Sequence, residues 1–390
     1  MTIHVAIIGG GIVGASAAYY LSQVPDIELT LYDEGIGSGT QASAGIISPW
    51  LSRRRNKAWY RMVRDGAAFY PAFLSDVMDG DPIPDSVYKQ VGTLLFKSKP
   101  EYLDEMLAIG QKRRENAPEI GDLKILSAEE VRELIPIYDK QSGALWAEGG
   151  ARVDGRALAD LILSRCQAND MTLIPEKANL NIFRSAPNYQ IQTKTTTKTF
   201  DKVVLANAAW LKYTLEPLGY NVDIRAQKGQ LAELQLDQPT SNWPVVMPEG
   251  EGDFIPFEDK VIIGATHEDE QGFDLTLEPE VLQPILNSVN QMFSEKLTAS
   301  LITNYRIGTR AYTSDYAPFF GFVPGQGDSV VAASGLGSTG LTAGPLVGKI
   351  LSELILGQSP SLPLDDYPIA RYIQKKKFEP PVESLNDTLL

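Results

Sequence analysis

The chain has 390 residues, 43% hydrophobic and 22% charged, enough for two or three domain-sized units around a substantial core. Its 35 basic against 49 acidic residues give a net charge of −14, which opposes non-specific binding to nucleic acid or to an anionic membrane. A single cysteine, Cys166, excludes an internal disulfide and a cysteine-based metal site, and two histidines leave no basis for a His-rich centre, so no metal is expected.

The apolar stretch from Val5 to Leu21 is broken by four glycines and lacks a basic segment before it. It reads as neither signal peptide nor membrane span, and a cytoplasmic protein without a membrane span is expected. Ile3 to Ile8 reads instead as a short buried strand, Ile12 to Gln23 as a helix ending before Pro25, and Glu28 to Asp33 as a second strand. Such a βαβ unit requires a right-handed parallel crossover and hence an α/β sheet. Between strand and helix stands Gly9-Gly10-Gly11-Ile12-Val13-Gly14, a GxGxxG sequence where a dinucleotide pyrophosphate needs a helix N-terminus. Gly9 suits the tight turn, Gly11 close backbone approach, and Gly14 close packing of helix on strand. Asp33, nineteen residues beyond Gly14, is placed to accept hydrogen bonds from ribose hydroxyls, and its charge disfavours a 2′-phosphate.

Arg53 to Lys57 is a basic run in an acidic chain, read as a solvated helix start that could also guide an anionic substrate. From Asp81 to Gly150 the character changes to charged helices, including Pro100 to Asn116 and a segment opened by the capping-box pair Ser127 and Glu130. Asp154 suits the N-cap of a helix to about Ala168, in which Cys166 shares an apolar face with Ile162 and Leu158. Met171 to Ile174 follows as a strand. Asn179 to Arg184 and Tyr189 to Thr193 suggest a hairpin turning at Ala186-Pro187-Asn188, Thr193 to Thr199 an exposed strand, and Lys202 to Ala206 a buried one. Strands dominate from Asn221 to Pro324, with one helix at Glu278 to Phe293. The last unit is a strand at Ser329 to Ala333, a glycine-rich turn, and a helix at Ser338 to Leu356. The proline-rich tail after Gln358 is expected to wrap the surface or lie loose.

Four further segments discriminate between cofactors. They are Gly37-Ser-Gly-Thr-Gln-Ala-Ser-Ala-Gly-Ile-Ile47, Arg152-Val-Asp-Gly155, Val203-Val-Leu-Ala-Asn-Ala-Ala-Trp210 and Ser334-Gly-Leu-Gly-Ser-Thr-Gly-Leu-Thr342. With these the chain resembles the D-amino-acid oxidase, glycine oxidase and sarcosine oxidase superfamily of FAD enzymes, from residue 3 to about residue 356. The resemblance implies a Rossmann-like (glutathione-reductase-type) α/β FAD domain with an inserted α+β mixed-sheet substrate domain. The FAD domain is expected to be discontinuous, over 1–80, 151–220 and 325–375, with 81–150 and 221–324 forming the substrate domain and 376–390 a tail.

The same resemblance implies non-covalent FAD, since no cysteine-containing tethering segment is present. Its residues would be Gly9, Gly11, Ile12, Val13 and Gly14 of the fingerprint, Asp33 and Glu34 after the second strand, and Thr40, Gln41, Ala44, Gly45 and Ile46 of the following loop. Ala178, Ala206, Ala208, Trp210 and Gly308 would join them. Ala208 stands where the family has a glycine. The late turn would contribute Gly335, Gly337, Ser338, Thr339, Gly340, Leu341 and Thr342, a second helix N-terminus stabilising anionic reduced flavin.

In Tyr305-Arg-Ile-Gly-Thr-Arg310-Ala-Tyr-Thr-Ser-Asp315-Tyr-Ala-Pro318, Arg310 falls on the family's carboxylate-binding arginine, while Asp315 is read as bracing a turn. Asp253 falls where glycine oxidase places a substrate-contacting tyrosine, and could pair with a substrate ammonium or guanidinium. His267 is a third candidate near the pocket, and Ser338 replaces an arginine of glycine oxidase. The implied activity is oxidation of a small amino acid or N-methyl amino acid of D-amino-acid, glycine or sarcosine type, by hydride transfer from the α-carbon to flavin, giving an imino acid. The partners would be a small carboxylate-bearing amine and oxygen or another electron acceptor, with a homo-oligomer possible. A nicotinamide dehydrogenase and a flavin-binding subunit without turnover are the alternative readings.

Overall fold

The computed structural model describes residues 2–183, 189–258, 260–294 and 296–376. The proposed turn at Ala186-Pro187-Asn188 and nearly all of the 376–390 tail fall outside them.

The first strand, β1 (Ile3–Ile8), leads into α1 (Ile12–Ser22) and β2 (Ile27–Tyr32). β1 and β2 pair in parallel, Ile3 against Ile27 through Ile8 against Tyr32. The next helix, α2 (Lys57–Val77), buries Trp59, Met62, Val63, Tyr70 and Phe73 along one side. Asn56 caps it, accepting the Trp59 N–H at 2.9 Å. The basic run therefore lies in the loop before the helix, with only Lys57 inside it.

The stretch 81–150 holds the expected helices, α3 (Pro100–Arg114) and α4 (Ala128–Leu134), the latter with both hydrogen bonds of its capping box. It also holds strands, among them β3 (Thr93–Leu95), β4 (Leu123–Leu126) and β5 (Ala144–Ala147). These are three or four residues long, too short to stand out against their charged neighbours. Beyond them come α5 (Gly155–Ala168), capped by Asp154, then β6 (Thr172–Ile174) and β7 (Lys202–Leu205). The hairpin strands are Asn179–Ile182 and Tyr189–Gln192. The Thr/Lys run, expected as a strand throughout, bends at Thr193 to Thr196, where the Thr193 hydroxyl accepts the Thr196 N–H at 3.0 Å, and only Thr197–Phe200 is extended.

The later strands are β8 (Arg225–Gln235), β9 (Val245–Met247), β10 (Asp253–Pro256), β11 (Lys260–Gly264) and β12 (Ile302–Tyr312), with helix α6 (Gln283–Asn290) between the last two. That helix begins later than the expected Glu278 because a short 3-10 turn occupies Pro279–Leu282. β13 (Phe319–Phe322), β14 (Val330–Ser334) and α7 (Gly340–Ile355) complete the main elements. The tail is not loose as far as it is described. Tyr367, Tyr372 and Ile373 are buried, and Ile373–Lys375 pairs antiparallel with Tyr220–Val222.

Two large sheets result. One has six strands in the order β13-β14-β7-β1-β2-β6, parallel except for β13. The other has eight in the order β12-β8-β11-β10-β9-β3-β5-β4, so strands from 81–150 and from 221–324 share one sheet through the parallel pair β9 and β3. Arg306 on β12 ties the second sheet to the start of α5. Its guanidinium donates to Glu233 on β8 and, at 2.7 Å, to Asp154, the cap of α5. Burial alone would raise both carboxyl pKa values, but Arg306, joined by Lys260 and further hydrogen bonds, holds both below the usual range.

Candidate active site

α1 and α7 cross in close contact because glycines leave room for it. A Cβ on Gly348 would lie 2.4 Å from the Val13 carbonyl oxygen, and one on Gly344 2.5 Å from Ile12 Cγ2. This crossing brings the N-termini of both helices onto one cavity of about 630 Å³. Neither N-cap, Gly11 or Thr339, makes a side-chain capping hydrogen bond. The positive pole of each helix therefore faces the same space, which suits a dinucleotide's phosphates and an electron-rich ring.

The fingerprint is built as a close-fitting cradle. Gly9 has φ of +106°, and a Cβ on Gly14 would sit 1.8 Å from the Gly9 carbonyl oxygen. Asp33, just beyond β2, accepts N–H bonds from Gly10 and, at 2.6 Å, from Gly35. Thr40 Oγ1 accepts the Ile12 N–H at 2.9 Å and so fastens the following loop to the start of α1.

Gly9, Gly11, Ile12, Val13, Asp33, Glu34, Thr40, Ala44, Gly45 and Ile46 line this cavity. So do Ala178, Ala206, Ala208, Trp210, Gly308, Gly335, Gly337, Ser338, Thr339, Gly340, Leu341 and Thr342. Gly14 lies beneath it, where its contact with Gly9 does its work. Gln41 is left off the wall by the turn that the Ala42 N–H closes onto the Ser38 carbonyl at 3.1 Å. Ala208 adopts φ of +47°, the left-handed conformation that glycine would take without cost, and its carbonyl accepts the Ser334 hydroxyl at 3.0 Å.

The second sheet supplies the opposite wall with Arg310, Asp253 and His267. Arg310 on β12 stands opposite Gln227 on β8. Its Nη1 donates to Gln227 Oε1 at 3.0 Å and to the Thr266 carbonyl at 2.9 Å, and a Cβ on Gly229 would press 2.8 Å from that nitrogen. Among the described residues no carboxylate lies within ion-pair distance of it, and burial lowers its pKa. The rest of the planar fork is free for an anion.

Asp253 opens β10 opposite Gly264. No hydrogen bond or ion pair reaches its carboxylate among the described residues, and burial pushes its pKa up to about 7. His267 is more peripheral, with Nδ1 3.4 Å from Glu251 Oε1 and the side chain 44% exposed. Burial, then the Arg310 charge, lowers its pKa. Asp315 braces the 313–317 turn, as expected, accepting the Ala317 N–H at 3.2 Å.

Several wall residues had no sequence signal, among them Trp59, Tyr213, Met247 and Thr309. Tyr312, just behind the wall, also had none: its hydroxyl accepts the Ser338 N–H at 3.2 Å, linking β12 to the late turn. An i, i+2 relation to Arg310 was the only available clue to its side of the strand. Cys166 is fully buried, with its thiol pKa pushed up to about 12, and plays no part in the site. Among the described residues no group of acidic, histidine and cysteine side chains could hold a metal ion, and no helix is long and apolar enough to cross a membrane.

A family model described as "FAD dependent oxidoreductase" matches residues 4–354. The chain is 36% identical over 363 residues to the uncharacterized oxidoreductase YurR of Bacillus subtilis (strain 168), covering 93% of this chain and 97% of that one. It is 25% identical over 368 residues to a glycine oxidase of Pseudomonas aeruginosa, covering 92% and 96%. Among solved structures, an iminodiacetate oxidase from Chelativorans sp. BNC1 superposes with a TM-score of 0.86 at 30% identity, over 93% of this chain and 98% of that one.

Proposed function

Given that the chain belongs to the family of FAD-dependent oxidoreductases, we propose that it oxidises a small carboxylate-bearing amine at the α-carbon, giving an imino acid. Membership in that family sets aside the nicotinamide and non-catalytic readings. The observation that carries the substrate assignment is a pair of ionisable groups on one wall, Arg310 and Asp253, neither with an opposite charge in ion-pair distance among the described residues, facing a cavity flanked by two helix N-termini. The names of two similar proteins, a glycine oxidase and an iminodiacetate oxidase, specify amines that carry a carboxylate, which supports the reading.

The fingerprint residues, the Thr40 loop and the late turn would hold FAD. When bound, FAD supplies the two-electron acceptor for the oxidation. Arg310 would take the substrate carboxylate in its free fork and fix the α-carbon, with Gln227 and the Thr266 carbonyl holding the guanidinium in place. Asp253 would accept the ammonium proton, a transfer that an ionised carboxylate with pKa near 7 can accomplish at neutral pH. With that proton on Asp253, the neutral amine gives up its α-hydrogen together with the C–H electron pair, the nitrogen lone pair turns the C–N single bond into C=N, and the product is the protonated imino acid. Ser338 and its neighbours at the start of α7 would stabilise negative charge developing at the acceptor.

Anaerobic addition of a panel of amino acids and N-alkyl amino acids to the FAD-loaded protein should bleach the flavin absorbance with at least one carboxylate-bearing amine, and not with the matching amine lacking its carboxylate. Bleaching by both alike would remove the carboxylate from the recognition. Admission of air then tells whether oxygen restores the colour.

A further inference from the structure

A second cleft, of about 470 Å³, shares Ser52 with the wall of the main cavity. It lies where the loop after Trp50 meets the start of α2 and the end of α3. Five cationic side chains line it, Arg53, Arg54, Arg55, Lys57 and Arg113, against one carboxylate, Glu105, which Arg53 engages at 2.7 Å. The whole chain carries −14, so this concentration of positive charge runs against its composition.

What holds these cations matters more than their number. Arg113 donates from Nη1 to the carbonyls of Trp50 and, at 2.7 Å, Ser52, and stacks 4.2 Å from the Tyr60 ring. Arg54 donates to the Tyr316 carbonyl and stacks 4.4 Å from the Trp59 ring, itself part of the main cavity wall. Both are fixed by neutral acceptors and ring faces, which orient a guanidinium without cancelling its charge. Among the described residues neither has a carboxylate partner, and Arg55 and Lys57 are exposed and unpaired. Two half-buried guanidiniums of that kind are costly unless an anion joins them.

The cleft is also connected to the wall that carries Arg310. Arg310 and Tyr312 lie two residues apart on β12 and so face the same side. Tyr312 packs its ring edge-on against Tyr316, at 5.3 Å, and the Tyr316 carbonyl is the acceptor for Arg54. Burial lowers the pKa of both Arg54 and Arg310, and the same phenol, Tyr312, opposes the drop at each. One side chain thus neighbours both guanidiniums.

We propose that the cleft receives a second carboxylate of the substrate, so that the preferred substrate is a dicarboxylic amine held at one end by Arg310 and at the other by Arg54 and its basic neighbours. This rests on the Arg310 reading given above and extends it. A monocarboxylic amine would satisfy Arg310 alone and leave the cleft to water. The overall negative charge would otherwise repel a dianion, and the basic cleft offsets that at the place where the substrate enters.

The test uses the full-length FAD-loaded protein and two unreactive probes, acetate and succinate, titrated while the flavin spectrum is followed. Succinate should bind at least about tenfold more tightly than acetate. The double variant Arg55→Gln/Lys57→Gln, which alters only exposed unpaired side chains, should reduce that preference severalfold without moving the acetate affinity. Arg54→Gln should do the same more strongly, and its retained FAD spectrum reports that the fold is intact. In the anaerobic reduction of the flavin, the substrate concentration giving half-maximal rate should rise for iminodiacetate in these variants while that for N-methylglycine holds. Equal affinity for the two probes, no spectral response to succinate, or a preference untouched by both variants would overturn the proposal. Arg310→Ala separates the two readings: it should abolish the response to acetate. If acetate still binds Arg310→Ala while the succinate preference persists, the Arg310 assignment fails and the basic cleft stands.

Discussion

The two walls of the cavity are built by different physics. The nucleotide side is made of backbone: glycines without room for a Cβ, the positive poles of two helices, and the close crossing of α1 and α7. The substrate side is made of side chains that sheet register brings together from distant segments, with Arg310 on β12 and Asp253 on β10 separated by β8 and β11. A backbone cradle tolerates almost no substitution and fixes the cofactor for a whole family. A wall of charged side chains can be rewritten residue by residue, which lets one scaffold accept different amines.

The contrast predicts where a single substitution does most damage. Gly348→Val forces α1 and α7 apart, because even a Cβ would come 2.4 Å from the Val13 carbonyl. It should cost at least about 3 kcal/mol and yield protein without bound flavin, read by thermal melting and the visible spectrum. A yellow variant of unchanged stability would show that the helix crossing does not set the cradle.

Substitutions on the other wall should spare the flavin and strike the substrate. Arg310→Ala is expected to lower kcat/KM by about 100- to 1000-fold, most of it in KM, with FAD content unchanged. Arg310→Lys should fall between, since an ammonium cannot reproduce the planar fork. Loss of FAD in Arg310→Ala would blur the division between the walls.

Asp253 sharpens it through pH. With a pKa near 7, the ionised form that takes the ammonium proton is lost as pH falls, so kcat/KM should drop below about pH 7 and Asp253→Asn should flatten that limb. The stability effect has the opposite sense. The folded pKa lies above the ordinary value, so the folded form binds more protons and wild-type stability falls as pH rises from about 4 to about 7. Asp253→Asn should therefore be more stable than wild type by about 1–2 kcal/mol at pH 8 and equal to it below pH 4. A melting difference independent of pH would mean the carboxyl is not desolvated.

The smallest effect belongs to the cradle. Ala208 holds φ of +47°, so Ala208→Gly relieves a left-handed alanine and should stabilise the protein by up to about 1 kcal/mol despite the freer unfolded chain. Destabilisation would assign the Ala208 methyl a packing role that outweighs its backbone.

This asymmetry also explains what could be read from the sequence. β1, α1, β2 and the late strand, turn and helix are local patterns, in which glycine spacing and an apolar run carry their own meaning over a few residues. Arg310 was found through a motif, but its partners, Gln227 and the Thr266 carbonyl, lie on other strands and leave no trace near it. The strands within 81–150 were missed because segments of three or four residues draw their stability from the sheet they join. α2 hides its extent behind a basic run that is loop, with Asn56 as the actual cap. Arg53 to Lys57 could be seen as unusual, yet only the fold shows Arg113 joining it from the end of α3.

A crystal structure of the protein grown with FAD tests the central claim most directly. The account predicts one FAD in the cavity, its pyrophosphate against the N-terminus of α1 and its ring against the N-terminus of α7, with Arg310 and Asp253 across from the ring. FAD bound by only one of the two helix ends, or lying outside the cavity they share, would contradict it.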